Sequence, residues 1–302
     1  MGNQNQDRWA QWLLHQRFGG DSQRLKAMLE LLSKVRDNVL QHARIKEGNR
    51  ILDVGCGDGL IAFGALDRVG IYGKVIFSDI SQNLLDHCQA LAQEMKILDR
   101  CQFVQAAAQD LSPIENRSVD VVTTRSVLIY VHEKQEAFNE FYRVLRPNGR
   151  LSIFEPINRF TYPEPPHLFL GYRVPLSMRP LVKKVWAVHA RYHSSQTESM
   201  IDFDERDLIA FAERAGFSEV HLELKISIVP GGIGKDGIAD CQNWETFLRQ
   251  SPNPNIPSYG QLLHEALTAD EMEEFTSFLR PLVETNQRED RLALAYLWAV
   301  KH

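Results

Sequence analysis

A short apolar run that meets three alternate glycines constrains this chain more than any other feature. Residues 51–59 read Ile-Leu-Asp-Val-Gly-Cys-Gly-Asp-Gly, so an apolar strand leads into a glycine-rich turn that follows Asp53. Glycines at this spacing let the backbone turn sharply and approach a ligand, and the next helix directs free N–H groups toward the same crevice. The segment predicts a strand–loop–helix unit that binds a ligand containing a nucleoside.

Two common nucleotide loops do not match this segment. A dinucleotide fingerprint requires its third glycine at position 60, which is Leu60, and no Gly-Lys-Ser/Thr follows, as a phosphate-binding loop requires. A nicotinamide dehydrogenase therefore stays only as a less favoured alternative.

The segment from Asp53 to Gly59 resembles Asp-x-Gly-x-Gly-x-Gly, the first motif of the class I S-adenosylmethionine (SAM) methyltransferases, at every fixed position. The resemblance implies an α/β fold: a doubly wound, mostly parallel, Rossmann-like sheet of seven strands, with helical inserts and N-terminal helices. Its last strand is expected to be antiparallel, between strands five and six. SAM is the implied cofactor, with Gly55, Cys56 and Gly57 around it. Because SAM has no phosphate, no lysine is needed, and Asp53 can hold the methionine ammonium directly or through water.

The next acids along the chain extend the same site. Residues 74–79 predict a second strand that ends at Asp79, twenty residues beyond Gly59. A carboxylate there can accept hydrogen bonds from both ribose hydroxyls, as the acid of dinucleotide folds does at about this offset. Its neighbour Ile80 is expected to contact the cofactor.

Two further segments complete the expected cofactor site. Residues 107–111, which follow a third short strand, resemble the family's adenine-binding segment, so Gln109 and Asp110 are placed near the adenine amino group. A fourth, buried strand covers residues 119–124, and the tail that begins at Arg125 is expected to lie across the crevice.

The pattern of elements predicts one methyltransferase domain with additions. Residues 1–48 form N-terminal helices, and residues 49–302 form the SAM-binding domain, interrupted by inserts at 156–203 and 230–290. The first insert, rich in proline and aromatic residues, follows strand five and is expected to cover the acceptor. The aromatic segment 9–18 is expected to act as a lid that orders over the cofactor, with Gly19 and Gly20 as its hinge.

An acceptor that must lose a proton needs a base, and sequence offers several candidates near the crevice. We favour Glu155, at the end of strand five, and His193, in a cluster of polar and aromatic residues, as catalytic groups. The wider set is Tyr130, His132, Arg159, Tyr162, His167, Tyr172, Arg173, His189, Arg191 and Tyr192.

Composition narrows the partners of the chain. The 302 residues carry a net charge of −5, which gives no broad attraction to nucleic acid or anionic lipid, so a small-molecule acceptor is favoured. No Cys-x-x-Cys or His-Glu-x-x-His spacing is present, so no metal is expected. Without an apolar run of about 20 residues or a signal-like N-terminus, we expect a cytoplasmic protein.

The leading hypothesis is a SAM-dependent methyltransferase that transfers a methyl group to oxygen, nitrogen or carbon of a small organic acceptor by in-line displacement. The alternative outside the enzyme class is a catalytically silent SAM-binding regulator or assembly factor. In that case the second insert is a partner surface.

Overall fold

The structure, a computed structural model, describes residues 7–17, 22–192, 199–230 and 243–302. The first half of the chain alternates short apolar strands with amphipathic helices, and the second half adds two long strands around helical segments. The strands are β1 (Arg50–Val54), β2 (Lys74–Asp79), β3 (Cys101–Gln105), β4 (Val119–Arg125), β5 (Leu145–Pro156), β6 (Leu168–Phe169), β7 (Tyr172–Arg173), β8 (Glu219–Pro230) and β9 (Glu289–Val300).

The helices of the described ranges flank this sheet or build the inserts. They are α1 (Arg8–Gln11), α2 (Ser22–His42), α3 (Leu60–Val69), α4 (Gln82–Glu94), α5 (Lys134–Val144), α6 (Arg179–Arg191), α7 (Glu205–Ala215), α8 (Trp244–Arg249), α9 (Tyr259–Ala266) and α10 (Ala269–Glu284). A single π-helical turn, Trp12–Gln16, continues α1.

The sheet order is β3-β2-β1-β4-β5-β9-β8, seven strands in all. The first five strands are parallel. Helices α3, α4 and α5 connect β1 to β2, β2 to β3 and β4 to β5, whereas residues 106–118 connect β3 to β4 without a helix. Strand β9 pairs antiparallel with both β5 and β8. The expected Rossmann-like sheet, with its last strand antiparallel between strands five and six, is confirmed.

Apolar side chains cover both faces of the sheet, as a parallel sheet requires. On one face, α2, α3 and α4 pack over β1 and β2 around Phe77. On the other face, α5 and α7 pack over β4 and β5 around Phe138 and Phe141. The carboxyl ends of β1, β2 and β4 consequently remain open at one edge, where ligands of this fold class bind.

The two inserts share a second apolar core. Phe169 and Val182 of the first insert pack with Phe247, Phe275 and Leu279 of the second, and the rings of Phe169 and Phe275 meet edge to face at 5.5 Å. Two segments that are 60 or more residues apart in sequence therefore stabilise each other. The division into one domain with two inserts stays our interpretation of the chain.

The N-terminal segment is attached to the second insert. The indole N–H of Trp12 donates a hydrogen bond of 3.0 Å to the carbonyl oxygen of Ser251, and the Trp12 side chain is buried. Within the described ranges, no helix is long and apolar enough to cross a membrane.

The second core predicts a clear stability difference between two neighbouring aromatic residues. Phe275 is fully buried, whereas Phe278 is only partly buried on the same helix. Phe275→Ala is expected to lower the free energy of unfolding by about 3–5 kcal/mol, because it leaves a cavity between the inserts. Phe278→Ala is the matched control, and urea unfolding is the measurement. Equal losses in the two variants would show that the inserts do not form a common core.

Candidate functional site

The glycine loop after β1 follows a path that only glycine permits without strain. Gly55, Gly57 and Gly59 all have positive φ angles, between 56° and 84°. A Cβ atom at Gly55 would lie 2.4 Å from the Cγ2 atom of Val127, and one at Gly57 would lie 3.0 Å from the side chain of Leu13. The spacing of the glycines in the sequence thus reflects both backbone handedness and the close approach of neighbouring segments.

Asp79, at the end of β2, holds this loop in place. One carboxylate oxygen accepts from the backbone N–H of Gly57 at 2.9 Å, and the other accepts from the N–H of Ser81 at 2.9 Å. Burial raises the pKa of Asp79, and the two backbone donors oppose that rise. Each oxygen retains a lone pair, so the carboxylate can also accept from ribose hydroxyls.

Asp53 lies beneath the loop with one oxygen unpaired. Its Oδ1 accepts from the Thr123 hydroxyl at 2.8 Å, while its buried Oδ2 has no hydrogen-bond partner among the described residues. Burial raises the pKa of Asp53 to about 7. A buried acceptor without a donor is costly, and an ammonium group or a bridging water would satisfy it. Asp53 does not itself line the cleft.

The side of the cleft where the sequence predicts the adenine is formed mostly by apolar side chains. Ile80, Ala106, Ala107, Ala108 and Gln109 line it. Asp110 is exposed instead, and its carboxylate accepts from the backbone N–H of Ser112 at 3.1 Å.

The strand-four tail closes the opposite side. Arg125, Ser126, Val127, Tyr130 and Val131 line the cleft there. Ser126 has a left-handed backbone, with φ at 56°, and strain of this kind in a non-glycine residue is concentrated at functional sites.

Glu155 supports this tail from below. It is fully buried, and its carboxylate accepts from the backbone N–H groups of Val127 at 2.8 Å, Leu128 at 2.9 Å and Ile129 at 3.4 Å. Glu155 does not line the cleft. The geometry therefore favours a positioning role over the direct proton transfer that sequence suggested.

The N-terminal segment forms the roof of the cleft. Trp9, Trp12, Leu13 and Arg17 line it from above, and the rings of Trp9 and Tyr130 meet edge to face at 4.8 Å. The cleft holds about 970 Å³ of free space, including its open mouth. None of the first insert's described residues lines this cleft, and the expected cover of the acceptor by that insert stays a prediction. Closure of the segment on cofactor binding stays a prediction, and Phe18, Gly19 and Gly20 lie outside the described residues.

The remaining sequence candidates lie apart from the cleft. Cys56 is buried below the loop, where its thiol and that of Cys88 both point to the carbonyl oxygen of Gly57. The neighbouring Cys88 thiol and burial raise the pKa of Cys56. His193 lies outside the described residues. Among the residues that the structure covers, no group of three or more His, Cys, Asp or Glu side chains could hold a metal ion.

Sequence reasoning missed Leu84 and Ala106 as lining residues. Leu84 belongs to the first turn of α4, and its backbone N–H is capped by the Ser81 hydroxyl. A helix that starts directly after Asp79 must direct its first turn toward the cleft, and this signal was present in the sequence.

The family described as the ubiE/COQ5 methyltransferase family matches residues 27–231. A ubiquinone/menaquinone biosynthesis C-methyltransferase of Ectopseudomonas mendocina is 32% identical over 178 residues, which are 58% of this chain and 68% of the relative. A demethylmenaquinone methyltransferase of Staphylococcus carnosus is 29% identical over 190 residues, 62% of this chain and 76% of the relative. A crystal structure of a proposed methyltransferase from Bacillus halodurans C-125 superposes with a TM-score of 0.52 at 17% identity, covering 88% of this chain and 98% of that one.

Replacement of Asp79 is expected to weaken cofactor binding, whereas replacement of Asp110 is not. Asp79→Ala is expected to weaken SAM binding by about 1.5–3 kcal/mol, because hydrogen bonds to a charged group are lost. Asp110→Ala, an exposed control outside the cleft, is expected to bind SAM as the wild type does. Isothermal titration calorimetry measures both affinities. Weaker SAM binding by the Asp110 variant would show that Asp110 belongs to the adenine site. Normal SAM affinity in a folded Asp79 variant would show that Asp79 does not contact the ribose.

Replacement of Glu155 tests whether this residue positions the strand-four tail or acts as a base. Glu155→Gln is expected to accelerate hydrogen exchange at the amides of residues 127–129 and to cost about 1–3 kcal/mol of stability, because backbone donors lose an acceptor. Exposed Glu133→Gln is the control. Unchanged exchange together with an altered pH profile of turnover would instead identify Glu155 as a base.

The same variant has a signature in the pH dependence of stability. Burial raises the pKa of Glu155 to about 7 from an ordinary 4.5. The folded protein therefore keeps this proton where the unfolded chain has released it, so the contribution to stability is full below about pH 4.5 and is lost as the pH rises through about 7. Glu155→Gln should remove this component from the pH dependence of the unfolding free energy.

Proposed function

We propose that this chain, which belongs to the ubiE/COQ5 methyltransferase family, transfers a methyl group to a ring carbon of a hydroquinone-type acceptor. The chain is a SAM-dependent methyltransferase for a small organic acceptor. The family match covers residues 27–231, well over half of the chain, and includes the glycine loop, Asp79, Gln109 and Arg125.

The aromatic roof of the cleft is the observation that carries the proposal. Trp9, Trp12 and Tyr130 all line the cleft, and the rings of Trp9 and Tyr130 are in direct edge-to-face contact at 4.8 Å. Planar aromatic side chains in a cleft favour a planar ring in stacked or edge-to-face contact. A hydroquinone ring, apolar on its faces and polar at two edges, suits this enclosure.

The names of the relatives support the same acceptor class. One is named for C-methylation in ubiquinone and menaquinone biosynthesis, and the other for methylation of demethylmenaquinone. The first name gives C-methylation in quinone biosynthesis, and the second gives a quinone as the acceptor. Their identity with this chain, 32% and 29%, supports a related acceptor without fixing its side chain.

Different residues of this chain would bind the cofactor and position the acceptor. Asp79 would hold the ribose and Asp53 the ammonium side of SAM, while Ile80 and Ala106 would enclose the adenine. Bound SAM would supply an electrophilic methyl group to the acceptor carbon, and the electron pair of the broken sulfur–carbon bond would stay on sulfur. The methylated ring carbon would then lose its proton to solvent, which restores the aromatic ring. Trp9 and Trp12 exclude water and hold the ring in line, which is the main protein contribution in such a displacement.

The two alternatives from the sequence have less support. The match to a methyltransferase family favours SAM over a nicotinamide cofactor, in agreement with Leu60 at the third glycine position. A silent regulator would not require an enclosed aromatic space next to the cofactor loop.

Product analysis tests the proposal directly. The purified protein is incubated with methyl-labelled SAM and one of three acceptors: a short-chain prenylated 1,4-naphthoquinol, the matching benzoquinol and catechol. We expect the label on a ring carbon of one quinol, identified by mass spectrometry and NMR. A label on oxygen, or turnover of catechol alone, would contradict the proposal.

Trp9 provides a variant for the acceptor side of the cleft. Trp9→Leu is expected to raise the KM of the quinol about 2- to 10-fold, because one aromatic contact is lost, with little change in SAM affinity. Tyr72→Leu, an exposed aromatic residue remote from the cleft, is the control. A matching loss of SAM affinity would place Trp9 against the cofactor instead.

A further inference from the structure

Strand β8 forms one edge of the seven-stranded sheet, and in the described part of the chain no strand pairs with its outer side. All twelve residues from Glu219 to Pro230 pair with β9 on the inner side, in one continuous register without a bulge. The only proline of the strand is its last residue, Pro230. Edge strands of monomeric proteins are usually short, covered or interrupted by proline or a bulge, because their free N–H and C=O groups can pair with another strand. The outer side of β8 is therefore suited to strand pairing.

The second half of β8 exposes apolar side chains. Strand β5 ends at Pro156, opposite Leu294 of β9, so the ladder of β8 and β9 continues past the rest of the sheet. In this extension Ile226 and Ile228 are 53% and 50% exposed. They lie on the same face as Leu224, which is partly buried against the core. Two exposed β-branched residues on a sheet edge indicate a surface that another strand can cover.

The other face of β8 carries charges of both signs near its centre. Glu223 and Lys225 form an ion pair of 3.4 Å along the strand, and both side chains are exposed. The two residues flank Leu224, one on each side. An antiparallel copy of β8 centred on Leu224 consequently sets Glu223 of each copy opposite Lys225 of the other, and opposite charges that face each other across two strands are stabilising.

We propose that β8 pairs antiparallel with β8 of a second copy of this chain, with the two-fold axis at Leu224, so that two sheets join into one. Leu222 then lies opposite the partner's Ile226. Val220 lies opposite the partner's Ile228. Every apolar residue on this face of β8 meets another apolar residue, and the two-fold axis makes each contact occur twice.

Other registers lose this match. A shift of one residue would set the apolar face of one strand beside the charged face of the other. With the axis at Leu222, both exposed isoleucines lie beyond the end of the partner's β8. With the axis at Ile226, Glu223 lies opposite the partner's Val229. The charges on the edge therefore select both the partner and the register.

Self-association of the purified protein tests the pairing. Analytical ultracentrifugation at about 100 μM, well above the micromolar Kd of a weak specific interface, is expected to give twice the 34.6 kDa mass of the chain. Glu223→Lys and Lys225→Glu each set like charges opposite one another across the axis, so each is expected to weaken self-association at least about 10-fold. Glu94→Lys, an exposed charge reversal on α4 at the opposite end of the sheet, is the control and should associate as the wild type does.

A mixture of the two variants gives the sharpest measurement. The Glu223→Lys chain has two positive charges beside the axis, and the Lys225→Glu chain has two negative ones. A heterodimer restores opposite charges at both positions. We expect the equimolar mixture to associate with close to wild-type affinity although neither variant associates well alone, and this recovery also shows that both variants are folded.

Three results would overturn the β8 pairing. One is a wild type that is monomeric at every concentration, as it would be if a different protein covered this edge. Another is a dimer that both variants form as tightly as the wild type, which would lie on another surface. The third is a pair of variants, folded by circular dichroism, that remain monomeric when mixed.

Ile226→Ser keeps the test open if a charge-reversed variant does not fold. The side chain is already half exposed, so the fold should tolerate the change. Self-association is expected to weaken at least about 5-fold, because each copy loses an apolar contact with the partner. Self-association equal to that of the wild type would exclude this strand from the interface.

Discussion

The buried carboxylate of Asp79 is the interaction on which the rest of the cleft depends. It joins the Gly57 amide of the cofactor loop to the Ser81 amide that precedes α4, at 2.9 Å each. A buried charge is tolerated only when such donors surround it. The carboxylate thereby fixes the loop and the start of α4 together, and the glycines permit the required backbone path.

A second buried carboxylate performs the same task on the other side. Glu155 accepts from three consecutive backbone amides beneath the strand-four tail. The tail in turn carries Val127, whose side chain lies against Gly55. The two carboxylates consequently hold the two walls of the cleft from below, and both retain raised pKa values because burial outweighs the backbone donors. An acid at the end of a strand can thus accept hydrogen bonds from backbone amides as well as from a ligand.

The chain combines a shared catalytic sheet with its own additions. Strands β1 to β8, the glycine loop and the strand-four tail lie inside the family match. Strand β9, the segment 7–17 and almost all of the second insert lie outside it. The segment 7–17 and the second insert meet at the bond between Trp12 and Ser251. Through this hydrogen bond, the second insert holds the segment that lines the cleft from above.

The sequence by itself determined the fold class and the cofactor. Strands that alternate with helices, the glycine spacing and acids at strand ends are local patterns, and together they indicate one fold class and one cofactor. Gly55, Gly57, Asp79, Ile80, Gln109 and Arg125 could be assigned in this way; all six line the cleft, and Asp79 also holds the glycine loop. The direction of each side chain was decided only by tertiary structure. Asp110 turns to Ser112 and Glu155 turns to buried amides, since the nearest unpaired donors lie there. The aromatic residues of segment 9–18 predicted a cover over the cleft, but its anchor could not be predicted, because the contact between Trp12 and Ser251 spans 239 residues and no local pattern encodes it.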